Sequence, residues 1–289
     1  MGTLETTELQ RRPLVGRARL AGWPLVGLAI VLTVWQVIVS TGLLSALVLP
    51  PPLDVAREFV GRVVDPEFWG HARITVYETL AGYLLGAGTG FVIAVFSGLS
   101  APFRKMVYPY MVALQVTPRI ALAPIFVAWL GFGPAPKIVT AAVICFFVVF
   151  INTLAGLEGV DRNAAEMFRS LGATRVQTLG KLELPGALPV TFAGFKTAMT
   201  LALVGAIVAE FISSQQGLGL LMQRYAFQLE TALVFATLLI LMLLGLALFG
   251  LMELADRSIV FWRHDGRMSK RSERKRAAAA KQGLVADHQ

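Results

Sequence analysis

The sequence predicts an all-α, polytopic membrane bundle of about six transmembrane helices, and three observations predict it. The mean hydropathy is +0.67, and 56% of the 289 residues are hydrophobic against 15% charged, more apolar than a soluble domain can hide. The apolar residues are gathered into blocks of about 20, the length a helix needs to cross roughly 30 Å of hydrocarbon. The blocks are continuous and do not alternate in polarity, which excludes a closed β-barrel and leaves helices as the way to satisfy the backbone in lipid.

The net charge of +8 is placed where a membrane protein carries it and not where a nucleic-acid-binding domain would. Arg11, Arg12, Arg17 and Arg19 precede the first apolar run, and Arg263, Arg267, Lys270, Arg271, Arg274, Lys275 and Arg276 follow the last one. Basic flanks of this kind belong on the cytoplasmic side, beside anionic headgroups, so both termini are expected in the cytoplasm and no nucleic acid is expected as a partner. The chain divides into a basic, disordered lead over 1–20, a membrane domain over 21–262 and a basic, disordered tail over 263–289. Cys145 is the one cysteine and sits inside an apolar run, so no intrachain disulfide forms and the thiol reads as a small packed group.

The first span runs from about Gly22 to Thr41 and lacks the small-residue cleavage site of a removable signal. Pro50, Pro51 and Pro52 break the chain, and the mixed-charge stretch to Arg73 reads as an external loop with a surface helix. The second span, Tyr77 to Leu99, carries Gly82, Gly86, Gly90, Ala94 and Gly98 four residues apart, a stripe of small residues that lets another helix backbone approach closely. Arg104 and Lys105 mark a short internal loop. The third segment, Val107 to Leu130, contains Pro109, Gln115, Thr117, Pro118, Arg119 and Pro124, so it reads as a broken helix shielded within the bundle. The fourth span follows from Lys137 to Leu157, the fifth from Thr191 to Ile212, and the sixth from Ala232 to Leu254. A Gly-rich external loop with Gly217 and Gly219 joins the last two.

Between the fourth and fifth spans, over about 158–190, the hydropathy collapses and Arg162, Arg169, Arg175 and Lys181 place the loop inside. Asp161 or Asn163 can cap a short helix that ends at Gly172 in the left-handed conformation. Thr174 starts a second short helix through Leu184, which Pro185 is expected to stop. Two short helices on a glycine turn make a compact protrusion under the membrane.

This protrusion resembles the coupling loop of bacterial ABC-transporter permeases, whose pattern is Glu-Ala-Ala, then a Gly, then Ile-x-Leu-Pro. Glu166, Gly172, Leu184 and Pro185 match in spacing, while Met167 and Phe168 replace the alanines and Leu182 the isoleucine. The resemblance covers about Trp35 to Arg257. Leu49-Pro50, Gly131-Phe132-Gly133 and Gly217-Leu218-Gly219 draw it toward the nitrate, sulfonate and taurine importer branch, which also holds permeases for pyrimidine precursors. It implies a type I importer permease in the bacterial inner membrane that works as a homodimer. The partners it implies are a cytoplasmic ABC ATPase dimer and a periplasmic or extracellular substrate-binding protein. Glu166, Met167, Phe168, Leu171, Gly172, Ala173, Leu184 and Pro185 are then the ATPase-coupling residues. ATP and Mg are expected on the partner ATPase and no cofactor on this chain, which has no Walker-type phosphate loop.

His71, His264 and His288 are assigned to loops or tails, and no HExxH, CxxC or Ser-His-Asp pattern points to a metal or a catalytic centre. An arginine at membrane depth costs roughly 2.5–3.5 kcal/mol on insertion scales, so Arg119 must face protein or water. With Thr117 it is a candidate for the substrate pathway, where it would attract an anion; an interfacial or structural role stays open. Glu210 is the third pathway candidate, and it has three readings: pairing with Arg119, capping backbone near Gly217, or sitting in an external gate. Lys196 is too far along the same helix to pair with Glu210 and is expected to snorkel inward. Two other classes remain beside the importer permease. A secondary transporter would run on an ion gradient without an ATPase, and a polytopic membrane enzyme would need clustered acid, base or metal-binding groups at a membrane face.

Overall fold

The computed structural model describes residues 15–262, with side chains from Trp23 onward. Both predicted tails, apart from the helical start at Val15, lie outside the described residues. The elements are α1 (Val15–Ser40), α2 (Pro52–Val63), α3 (Pro66–Leu99), α4 (Ala101–Val116), a 3-10 turn (Arg119–Leu122), α5 (Ala123–Leu130) and α6 (Pro134–Glu158). They continue with α7 (Arg162–Ser170), α8 (Arg175–Thr178), a π turn (Leu179–Glu183), α9 (Leu184–Ser213), α10 (Leu218–Phe227) and α11 (Thr231–Ile259). Five of these helical runs are long and apolar enough to span a bilayer, and α4 with the 3-10 turn and α5 passes the same test as a pair bent by 90°. The predicted fold class, an all-α membrane bundle with a broken third segment, is what the described residues adopt.

The core is a sandwich of α3, α6 and α9. The small-residue stripe of α3 lies directly on α6: Gly82 faces Ala141 and the Ile138 carbonyl, Gly86 faces Ala142 and Cys145, and Gly90 faces the Phe146 carbonyl. A Cβ on Gly86 would overlap the Ala142 carbonyl oxygen, so the two backbones are in contact and glycine is required by the distance between them. Because position numbers rise together in these contacts, α3 and α6 run parallel. Against α9 they fall: Gly205 meets Ala141, Gly194 meets Asn152 and Gly156 meets Ala187, so α9 is antiparallel to α6. Cys145 is fully buried in this packing, with Tyr83, Val149, Met199 and Ala202 around it.

The helix α1 stands apart. None of Trp23–Ser40 is buried, and its ties to the rest include the Trp35 indole N–H donating to the Pro50 carbonyl at 3.0 Å and the Trp35–Phe235 ring contact at 5.7 Å. A helix that leaves this much apolar surface uncovered is built for lipid or for another apolar surface.

Four sequence expectations change. The lead is not wholly irregular, because α1 starts at Val15. The loop before the second span ends at Asp65, whose side chain accepts from the Glu67 N–H and caps α3, so α3 begins at Pro66 and not near Tyr77. Its 34 residues reach about 50 Å at 1.5 Å rise, well past the hydrocarbon, which is why its first turns are polar. The Gly-rich external loop contains a helix, α10. Pro185 does not stop a helix: the chain is helical without a break from Arg175 to Ser213. The π turn explains the last point. In an α-helix the Pro185 ring would meet the Lys181 carbonyl, but the Leu184 N–H bonds back to the Leu179 carbonyl, and this wider turn makes room for a residue that has no N–H to donate.

Candidate functional site

At one end of the bundle, past Glu158, the chain turns into an elbow. Asp161 caps α7 by accepting from the Asn163 N–H at 2.9 Å. At the other end of α7, Gly172 has φ +81° and open space where a Cβ would stand, and its N–H bonds the Arg169 carbonyl at 2.9 Å while the Ala173 N–H bonds the Phe168 carbonyl at 3.0 Å. This is the left-handed glycine exit of a helix. Thr174 and Gln177 then form a reciprocal capping box that starts α8. Every bend of the elbow is thus fixed by a hydrogen bond, which makes it stiff.

The elbow is also anchored to the core. Arg175 donates to the Gly98 carbonyl at the end of α3 at 2.7 Å and pairs with Glu183 at 3.4 Å; Arg104 of α4 pairs with Glu158 of α6. Outward, Met167 is 55% exposed, Leu171 79% and Val176 68%, an apolar tip on an otherwise charged loop. Glu166 is exposed on the same short helix, Phe168 and Ala173 are half-buried, and Leu184 and Pro185 are half-buried at the root of α9 rather than on the tip.

At the opposite end a network of buried polar groups joins α3, α6, α9 and α10. The Glu210 carboxylate, with no exposed surface, accepts from the Thr75 hydroxyl at 2.7 Å and from the Gly219 N–H. Thr75 in turn accepts from the Leu218 N–H at 2.9 Å, and His71 Nδ1 accepts from the Gly217 N–H at 2.9 Å. Three N–H groups at the start of α10 are therefore satisfied by α3 and α9, with the Glu210 carboxyl among the acceptors. Gly217, at φ +122°, and Gly219 both lie against the Glu210 side chain, with no room for a Cβ. Beside it, Lys137 at the start of α6 donates to Glu78 of α3 at 2.8 Å and to the Ser214 hydroxyl at 2.9 Å, with side chains 6% and 1% exposed for Lys137 and Glu78.

Of the three readings of Glu210, the backbone cap is the one the structure shows; the carboxylate faces neither Arg119 nor an open surface. Thr117 bonds its own helix at the Ala113 carbonyl. Arg119 lies at the 90° bend, half-buried, donating to the Ile144 carbonyl at 3.1 Å and standing 5.9 Å over the Phe147 ring. It borders a cavity of about 410 Å³ whose other walls include Leu114, Val143, Phe146 and Phe147. Thr117, Arg119 and Glu210 therefore do not come together. Lys196 is paired, at 2.8 Å with Glu253 and 2.7 Å with Asp256 on α11, and does not snorkel. His71 belongs to α3 and not to a loop. Glu78, Lys137, Thr75 and Ser214 went unread in the sequence, although Glu78 alone among the apolar residues after Tyr77 was a visible sign. Among the described residues no three of His, Cys, Asp and Glu gather into a metal site.

Comparison with known proteins agrees with this arrangement. Residues 86–261 match the family described as "Binding-protein-dependent transport system inner membrane component". A putative aliphatic sulfonates transport permease of Bacillus subtilis is 34% identical over 236 residues, 82% of this chain and 86% of that one. A riboflavin transport system permease of Chloroflexus aurantiacus is 33% identical, covering 83% of this chain and 91% of that one, and a formylaminopyrimidine transport permease of Halalkalibacterium halodurans is 32% identical over 74% and 86%. Among solved structures, a chain of the inward-facing MetNI methionine ABC transporter superposes with a TM-score of 0.58 at 20% identity, covering 68% of this chain and 99% of that one. A chain of a bacterial alginate ABC transporter, in complex with its alginate pentasaccharide-bound periplasmic protein, gives 0.57 at 15% identity over 84% and 97%. The shared fold is that of the type I importer permeases. The chain belongs to the inner-membrane components of binding-protein-dependent transport systems, the permease subunits of ABC importers.

Proposed function

We propose that this permease carries a small anionic or polar organic nutrient inward, driven by ATP hydrolysed on a separate ATPase dimer that seats the elbow around α7. The observation that carries this reading is the elbow itself: a capped, glycine-terminated helix, tied to α3 by Arg175, that presents Met167 and Leu171 to the exterior. A large apolar residue 79% exposed among arginines is a docking contact waiting for a partner. A stiff anchored elbow moves as a rigid body with whatever it is docked on, and so passes that motion to the core helices.

In this reading the elbow end is cytoplasmic, as are both termini, in keeping with the basic residues that gather there. A second copy of the chain covers the face of α3, α4 and α6 that carries Arg119, because an arginine there cannot be left to lipid. The two copies enclose the pathway, and a binding protein delivers the substrate from outside, above α10. Arg119, with a single hydrogen bond to protein and an apolar cavity beside it, suits an anion with a short carbon body. The names of the relatives, which include sulfonate and aminopyrimidine permeases, keep both substrate classes in view.

The test is reconstitution of the permease with its ATPase in proteoliposomes, the binding protein added outside, and uptake of labelled methanesulfonate, taurine, nitrate and an aminopyrimidine. ATP-dependent accumulation of one probe, requiring all three components, is expected. Accumulation driven by an ion gradient without the ATPase would instead establish a secondary transporter.

A further inference from the structure

Beneath α7 lies a polar cavity of about 600 Å³, enclosed between the elbow and the ends of α3, α4 and α6. Its charged walls hold four arginines and three glutamates. Two of the arginines are committed within the protein: Arg104 to Glu158, and Arg175 to Glu183 and the Gly98 carbonyl. The other two, Arg162 and Arg169, have no acidic partner within 4 Å among the described residues. They stand seven residues apart on α7, two helical turns, so they share one face about 10 Å apart along the axis. Ala165, small and buried, lies between them and leaves the space open.

Two unpaired guanidiniums over a cavity with one positive charge in excess select a multi-oxygen anion, and a phosphate fits them through paired N–H donors. The level of the cavity decides which phosphate. Its floor is Gly98, Leu154 and Leu157, at the ends of α3 and α6, where spanning helices leave the hydrocarbon and headgroups begin. We infer that this cavity binds the phosphodiester headgroup of an anionic phospholipid of the cytoplasmic leaflet, which braces α7 against α3 and α6; the leaflet follows from the cytoplasmic placement of the elbow proposed above. Basic pockets at this depth between spanning helices take such headgroups. With the gap filled, the elbow is supported from behind, so the anionic lipid content of the membrane sets how completely ATPase motion reaches the core.

Two readouts test this. Binding is read by native mass spectrometry of the purified permease released from nanodiscs that mix phosphatidylglycerol with phosphatidylcholine. Wild type is expected to retain phosphatidylglycerol preferentially and the Arg162→Gln/Arg169→Gln variant to retain the two lipids alike. Equal retention by wild type and variant overturns the site. Coupling is read as ATP hydrolysis stimulated by the loaded binding protein in the full transporter. Phosphatidylglycerol is expected to raise it several-fold in wild type and not in the variant, with both equal in pure phosphatidylcholine. A variant already deficient in pure phosphatidylcholine would show that the arginines contact the ATPase, and recovery on adding inorganic phosphate to phosphatidylcholine discs would show a soluble-anion site; either result overturns the lipid assignment. Failure of the importer reading itself shows separately, as no stimulation in any lipid while wild type still retains phosphatidylglycerol preferentially and the variant does not.

Discussion

Gly172→Pro is expected to lower ATP-driven uptake by about tenfold or more, while the permease still inserts in the membrane. The reason is local. Gly172 holds φ at +81°, a conformation closed to proline, whose ring fixes φ near −65°. Its N–H also closes the α7 exit on the Arg169 carbonyl, a bond proline cannot make. The elbow must then change direction after Ser170, and strain of this kind, on the order of 1–3 kcal/mol, is relieved by letting α7 swing. Tenfold in rate is about 1.4 kcal/mol, within that range. Gly172→Ala, with nothing within 4 Å of its Cβ, meets only the left-handed penalty of roughly 1–2 kcal/mol and should retain partial coupling. The measurement is uptake per ATP hydrolysed in proteoliposomes. Equal ratios for the proline variant and wild type would remove the elbow from the transmission path.

Lys137→Met is expected to cause the largest loss of stability in the chain. Lys137 is the cation beside Glu78, whose other carboxylate oxygen has no hydrogen-bond partner among the described residues, so this one ammonium offsets the buried charge. Removing one partner of a buried pair strands the other, at a cost of about 3–5 kcal/mol. The Glu78→Gln/Lys137→Met double variant should recover much of this, because the amide is neutral and needs no cation beside it. The check is thermal unfolding of the detergent-purified permease, with the double variant melting above the single one. If the single variant melts with wild type, the network is not what holds α3, α6 and α10 together at that end.

The parts of this account that could be read in the sequence are the ones decided by near neighbours in the chain. The elbow is an example: Asp161, Gly172 and Thr174 act within a few residues of themselves, and each does what its residue type implied. The stripe from Gly82 to Gly98 announced a close helix contact, although not that α6 would be the partner. What the sequence hid depends on distant groups. Gly217 and Gly219 looked like a flexible loop, and α10 forms there because Glu210, Thr75 and His71, up to 146 residues away, take its first N–H groups. Pro185 looked like a stop because the π turn that accommodates it has no sequence mark. Polar residues such as Glu67, His71 and Arg73 disguised the start of α3, since a helix that outruns the bilayer need not be apolar where it emerges. Lys196 appeared free to snorkel because its partners, Glu253 and Asp256, belong to another helix.

The central claim is that the tip of α7 meets a separate ATPase, and site-specific photocrosslinking in the assembled transporter tests it most directly. A photoreactive residue in place of Met167, exposed on α7, is expected to give an adduct with the ATPase subunit that changes when ATP is bound. The same probe in place of Phe227, 81% exposed on α10 at the far end, is expected to give none. An ATPase adduct from position 227 with none from position 167 would contradict the account.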